Sequence, residues 1–143
     1  MTKLLPQANT LDTVIKTFVY ASNKKNCTLQ DISLFCGFTD RQASYYTSAC
    51  HYLNLLDENM KPTDLGNAIL ADMGSVRVKI YELVMNDDLI GRILHNMLLY
   101  PKDAIRLSRE WVASRYPEYG NAVIERRTQC LMSWCQEIID YIK

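Results

Sequence analysis

Arg41, Gln42, Ser44, Tyr45 and Ser48 fall within one short stretch whose side chains can read or grip a polyanion. An arginine near the start of a helix can donate two hydrogen bonds to a guanine edge, and a glutamine can pair with adenine or simply cap its own helix. Ser44, Tyr45 and Ser48 would then meet bases or phosphate. Lys24, Lys25 and Lys61 are candidates for phosphate contacts, which position a module without reading sequence. The same residues equally suit a solvated face or a protein contact, and lone lysines often serve only solubility.

Other chemistries lack their parts. His51 and His95 are the only histidines, far apart in the chain, and neither has a carboxylate motif beside it. No acid-x-lysine arrangement of the kind metal nucleases use occurs. The five cysteines, Cys27, Cys36, Cys50, Cys130 and Cys135, form no Cys-x-x-Cys pair, so zinc is not expected and the thiols read as reduced and mostly buried. The glycines are isolated and build no phosphate-cradling loop. Asp87-Asp88 reads as a helix start rather than a metal site. A non-enzymatic chain without cofactor or metal is the expectation.

Charge bears on that reading. Lysine plus arginine equals aspartate plus glutamate, 16 against 16. The balance persists on either side of Gly66, with six of each sign before it and ten of each after. Nonspecific phosphate attraction therefore has no global source, and any DNA affinity must come from a local face. No stretch approaches the roughly 18 apolar residues of a membrane span, and Met1 to Asn9 carry no signal-peptide core, so a cytoplasmic protein that avoids membranes is expected.

The elements that must hold these residues follow from hydrophobic spacing. Thr10 precedes Leu11, Val14, Ile15, Phe18 and Val19, the apolar stripe of a first helix. Thr28 with Asp31 opens a short second helix, Gly37 closes it, and Thr39 with Gln42 forms a capping box for a third. That third helix buries Ala43, Tyr46, Thr47, Cys50 and Leu53 and turns Arg41, Ser44, Tyr45 and Ser48 outward. Leu55-Leu56-Asp57 and Met60-Lys61-Pro62 around Glu58-Asn59 predict two short extended arms, and Thr63 caps a fourth helix.

The remainder reads as helices over Val76–Val84, Leu89–Leu98, about 102–114 and the last twenty residues. Trp111 and Trp134 lie on apolar stripes, as core or as the seam of a homodimer. Arg126-Arg127 near a helix start calls for an acidic partner or a phosphate, a structural salt bridge being the simpler account.

Thr39-Asp40-Arg41-Gln42 with Tyr45-Tyr46, Leu53-Asn54-Leu55-Leu56 and Pro62-Thr63-Asp64-Leu65-Gly66 resemble a bacterial winged helix-turn-helix pattern. With Arg126-Arg127-Thr128 and Trp134, the chain is similar to small winged-helix modules attached to type II restriction enzymes and related defence proteins. Asn54 stands where that pattern has glycine. The resemblance implies a mainly α fold: a winged helix-turn-helix with a two-stranded wing over residues 1–73, then a helical extension over 74–143 that packs on it or dimerises. It implies a DNA-reading or complex-organising part, with duplex DNA, a protein partner or a second copy as the partner.

Overall fold

Apolar residues at three- and four-residue spacing build every element. In the computed structural model, which describes residues 4–143, they form eight α-helices: α1 Leu11–Asn23, α2 Leu29–Cys36, α3 Asp40–Tyr52, α4 Asp64–Leu70, α5 Val76–Asn86, α6 Asp88–Leu99, α7 Ala104–Arg115 and α8 Asn121–Ile142. The first three residues of the unit expected over 1–73 lie outside the described residues.

Local capping sets several boundaries. The Thr28 hydroxyl accepts from Asp31 N–H at 3.2 Å while the Asp31 carboxylate accepts from Thr28 N–H at 2.9 Å. Thr39 and Gln42 repeat this exchange at the start of α3, at 3.2 and 3.4 Å. Each pair satisfies orphan N–H groups at a helix start. Gly37 ends α2 at φ 73°, a left-handed conformation that costs glycine nothing. Asp87 caps α6, accepting from Leu89 and Ile90 N–H at 3.0 Å each.

The predicted wing does not form, and the winged-helix expectation is corrected on that point. No strand occurs among the described residues, and the loop between α3 and α4 holds a single antiparallel bridge, Leu56 with Pro62. Two bonds flank it, Asp57 N–H to Lys61 O at 2.8 Å and Thr63 N–H to Leu55 O at 3.1 Å. A longer ladder is blocked chemically. Pro62 has no N–H to donate, and the Asp57 carboxylate already takes the N–H groups of Asn59 and Lys61 at 2.8 and 3.0 Å. Asn54 and Met60 adopt φ 60° and 61°, so the chain reverses where it would have to run straight.

Beyond this loop α4 packs close, and a Cβ on Gly66 would collide with the carbonyl oxygen of Leu55. Helices α1, α2 and α3 pack on one another, as do α6, α7 and α8. The groups join through α1 on α8 and through α4 on α5 and α5 on α6. One cluster of buried side chains runs from Leu5 to Ile138, with Phe18, Leu55, Ile90 and Trp134 fully enclosed. Among the described residues no helix is long and apolar enough to cross a membrane.

The N-terminal segment is fastened to α8 by polar groups. The Trp134 indole N–H and the Cys130 thiol both donate to the Ala8 carbonyl, at 2.7 and 3.1 Å. The Glu137 carboxylate then accepts from Leu11 and Asp12 N–H at 2.7 and 2.9 Å. Thr10, the cap expected from sequence, makes no side-chain cap bond. A carboxylate from the far end of the chain caps α1 instead and also meets the positive end of the helix dipole. Asp12, in the first turn, pairs with Arg77 at 2.5 Å and Lys16 at 3.0 Å.

Two outcomes follow. Glu137→Ala should destabilise the protein by about 1–2 kcal/mol in urea denaturation, with Glu137→Gln intermediate, because an uncharged amide accepts but does not balance the dipole. Hydrogen bonds from Arg77 and Lys16 hold the Asp12 carboxyl below its ordinary 3.8. Its contribution is therefore complete above the unfolded value and is lost as pH falls through the lower folded value. In acid titrations of stability, Asp12→Asn should flatten the profile below about pH 4.

Candidate functional site

The outward face of α3 is divided by its surroundings. Arg41 and Tyr45, in its first half, line a cleft of about 370 Å3 together with Gln7 and Asn9 of the N-terminal segment and Arg126, Arg127 and Gln129 of α8. Ser48, one turn further along, lines a different recess with Thr47, His51, Asp57, Glu58 and Met60. The first half contributes one guanidinium and faces two more, whereas the second faces two carboxylates.

No carboxylate lines the arginine cleft. That composition is unusual in this chain, whose other arginines include several in ion pairs: Arg77 with Asp12, Arg106 with Asp103 and Glu110 at 3.6 and 3.5 Å, and Arg109 with Glu125 at 3.8 Å. Glu125, next in sequence to Arg126, is thus engaged with α7. The structural salt bridge expected for Arg126-Arg127 does not form; among the described residues, neither these two nor Arg41 has an ion-pair partner.

Two of the three arginines are held by neighbouring side chains. Arg41 Nε donates to the Tyr45 hydroxyl at 2.7 Å, one helical turn on, and its guanidinium lies 5.7 Å from the Tyr45 ring centroid. Arg127 sits 5.8 Å from the ring centroid of Tyr119. Its Nε is screened from solvent and has no hydrogen-bond partner. A shielded, charged N–H without an acceptor is costly and calls for an explanation, an anion that supplies the acceptor being one. Arg126 is exposed at the rim. Arg41 also stands in the first turn of α3, where the helix dipole adds positive potential.

The other residues singled out from sequence are elsewhere. Gln42 is engaged in its capping box. Ser44 is half-buried, its carbonyl accepting from Thr47 Oγ1 at 3.1 Å. Lys61 is exposed in the α3–α4 loop. Lys24 and Lys25 follow the C-terminal end of α1, whereas the cleft adjoins Asn9 before its start; thirteen helical residues separate the ends by roughly 20 Å. Gln7, Asn9 and Gln129 escaped notice because only folding brings them beside Arg41.

Among the described residues no group of three or more histidine, cysteine, aspartate or glutamate side chains is placed to hold a metal. His51 approaches the Leu56 carbonyl at 3.3 Å, and His95 stacks edge-on with Tyr100. Trp134 belongs to the core, while Trp111 is half-buried and donates its indole N–H to the Leu89 carbonyl at 3.1 Å. Tyr52 donates to Asp87 at 3.3 Å, and burial together with that carboxylate pushes its phenol well above the usual range.

A family model described as a domain of unknown function (DUF7226) matches residues 13–143, and the chain belongs to that family. No curated protein and no solved structure matches it.

All five cysteines are free thiols. Burial pushes Cys130 and Cys135 up to about 12 and raises Cys50 further, so little thiolate is available for reaction. Alkylation of the native protein at neutral pH, followed by mass spectrometry, should therefore modify the half-buried Cys36 first. Cys50, Cys130 and Cys135 should react only on unfolding; rapid labelling of Cys135 in the folded state would contradict this arrangement.

Proposed function

We propose that this member of the DUF7226 family is a non-enzymatic nucleic-acid-binding module that grips duplex DNA with the first half of α3 and the arginine cleft beside it. The observation that carries this reading is the convergence of Arg41, Arg126 and Arg127, without ion-pair partners and without a carboxylate in the lining, in a chain of zero formal charge. Global charge gives no reason to approach a polyanion, so a local cationic cleft must supply the attraction.

Arg126 and Arg127 serve as phosphate anchors, for which a planar guanidinium is better suited than a lysine ammonium. Arg41, at the opening of α3, reaches a base edge or a second phosphate, and Tyr45 holds it in position. Ser48 takes no part, because Asp57 and Glu58 share its recess and would repel phosphate.

A second reading, a protein-interaction module, draws on the corner between α6 and α7. Leu98, Leu99, Tyr100 and Ile105 are each more than half exposed there, and exposed large apolar side chains grouped at one corner favour a protein contact. A partner protein or a second copy of the chain would cover it.

The deciding experiment is binding of the purified chain to a randomised pool of short duplexes at two salt concentrations. Arg126→Ala should weaken binding to all sequences and lower the salt slope by about 1, whereas Arg41→Ala should remove sequence enrichment. Lys24→Ala, at the far end of α1, should leave affinity unchanged. Absence of binding by the unaltered chain at low salt sinks the DNA reading and moves the search to the α6–α7 corner.

A further inference from the structure

Resting on the nucleic-acid reading, we propose that the arginine cleft is a receptor for a terminal phosphate monoester, such as the phosphorylated end of a DNA strand, rather than for a phosphodiester within the backbone. The cleft is a recess whose wall comes from three separate segments: residues 7 and 9, the first half of α3, and the second and third turns of α8. An internal phosphodiester is tethered on both sides and can only graze such a recess. A terminal monoester is tethered on one side, so its phosphoryl group can enter.

Charge points the same way. A phosphate monoester carries close to two negative charges at neutral pH and offers three terminal oxygens, against a single charge for a diester. Three guanidiniums with no lining carboxylate match the more highly charged group. The shielded Arg127 Nε has no acceptor, while Arg126 is exposed and open to an entering phosphoryl oxygen. The amides of Gln7, Asn9 and Gln129 provide neutral donors and acceptors at the rim, suited to the sugar or base that follows the phosphate.

The volume of about 370 Å3 falls within the size range of small-ligand pockets, so a free nucleoside monophosphate offers the same chemistry as a strand end. The proposal commits to the shared group, the phosphate monoester, and the test separates the two sources.

Fluorescence anisotropy of the full chain would compare one duplex with 5′-phosphate, 3′-phosphate or hydroxyl ends, and equilibrium dialysis would measure a 5′-nucleoside monophosphate alone. One phosphorylated form should bind about tenfold more tightly than the hydroxyl form, the ratio expected from an added charge-assisted hydrogen bond. Arg126→Gln, at an exposed position, should remove that preference, and Arg127→Lys should reduce it while leaving the circular dichroism of the fold unchanged. Equal binding of all three duplexes overturns the proposal and leaves the DNA reading standing. Binding of the monophosphate with no duplex bound supports the phosphate monoester site and removes DNA as its source. Failure of every probe overturns both.

Discussion

The carbonyl of Ala8 and the first two N–H groups of α1 are bound by three side chains of α8, and the rest of the molecule is arranged around that clasp. Trp134, Cys130 and Glu137 together satisfy one acceptor and two donors that would otherwise be stranded at the entry to the core. Once residues 8 to 12 are held, α1 lies against α8, and α3 follows because it packs on α1. Gln7 and Asn9 flank the clasped carbonyl, so they are carried to the side of Arg126 and Gln129. The cleft is thus a by-product of how the two ends of the chain are joined.

Ion pairing explains why the cleft is cationic in a neutral protein. Glu125 is the nearest carboxylate in sequence to Arg126 and Arg127, but it pairs with Arg109 on α7, and Asp12 near the start of α1 pairs with Arg77 and Lys16. Removing these acids from the vicinity leaves Arg41 and Arg127 supported by aromatic rings and, for Arg41, a tyrosine hydroxyl, with Arg126 exposed. Ring contacts orient a guanidinium without cancelling its charge, which preserves its capacity to bind an anion.

The loop after α3 has a comparable influence. Asp57 uses its carboxylate to close the turn on Asn59 and Lys61, which leaves too few free N–H groups for a sheet and also brings Asp57 and Glu58 to the second half of α3. Where a two-stranded wing would add a second contact surface, this loop adds negative charge. The outward face of α3 is accordingly split, and its cationic half is the one beside α8.

Helix positions were legible in the sequence because they rest on local rules. The Thr28–Asp31 and Thr39–Gln42 exchanges, the left-handed Gly37 and the Asp87 cap each involve residues within a few positions of one another, and apolar spacing identified the buried faces. Arg41 and Tyr45 were visible for the same reason, being one turn apart on a single helix. The wing was misread because residues 55–62 have the composition of two arms, while the missing proline N–H and the Asp57 turn decide the hydrogen bonding. Glu137 capping α1 from about 125 residues away, and the meeting of Gln7, Asn9, Arg41 and Arg126, were decided only by tertiary structure. Local spacing specifies which face of a helix is apolar, but which distant charge ends beside another depends on how those faces are stacked.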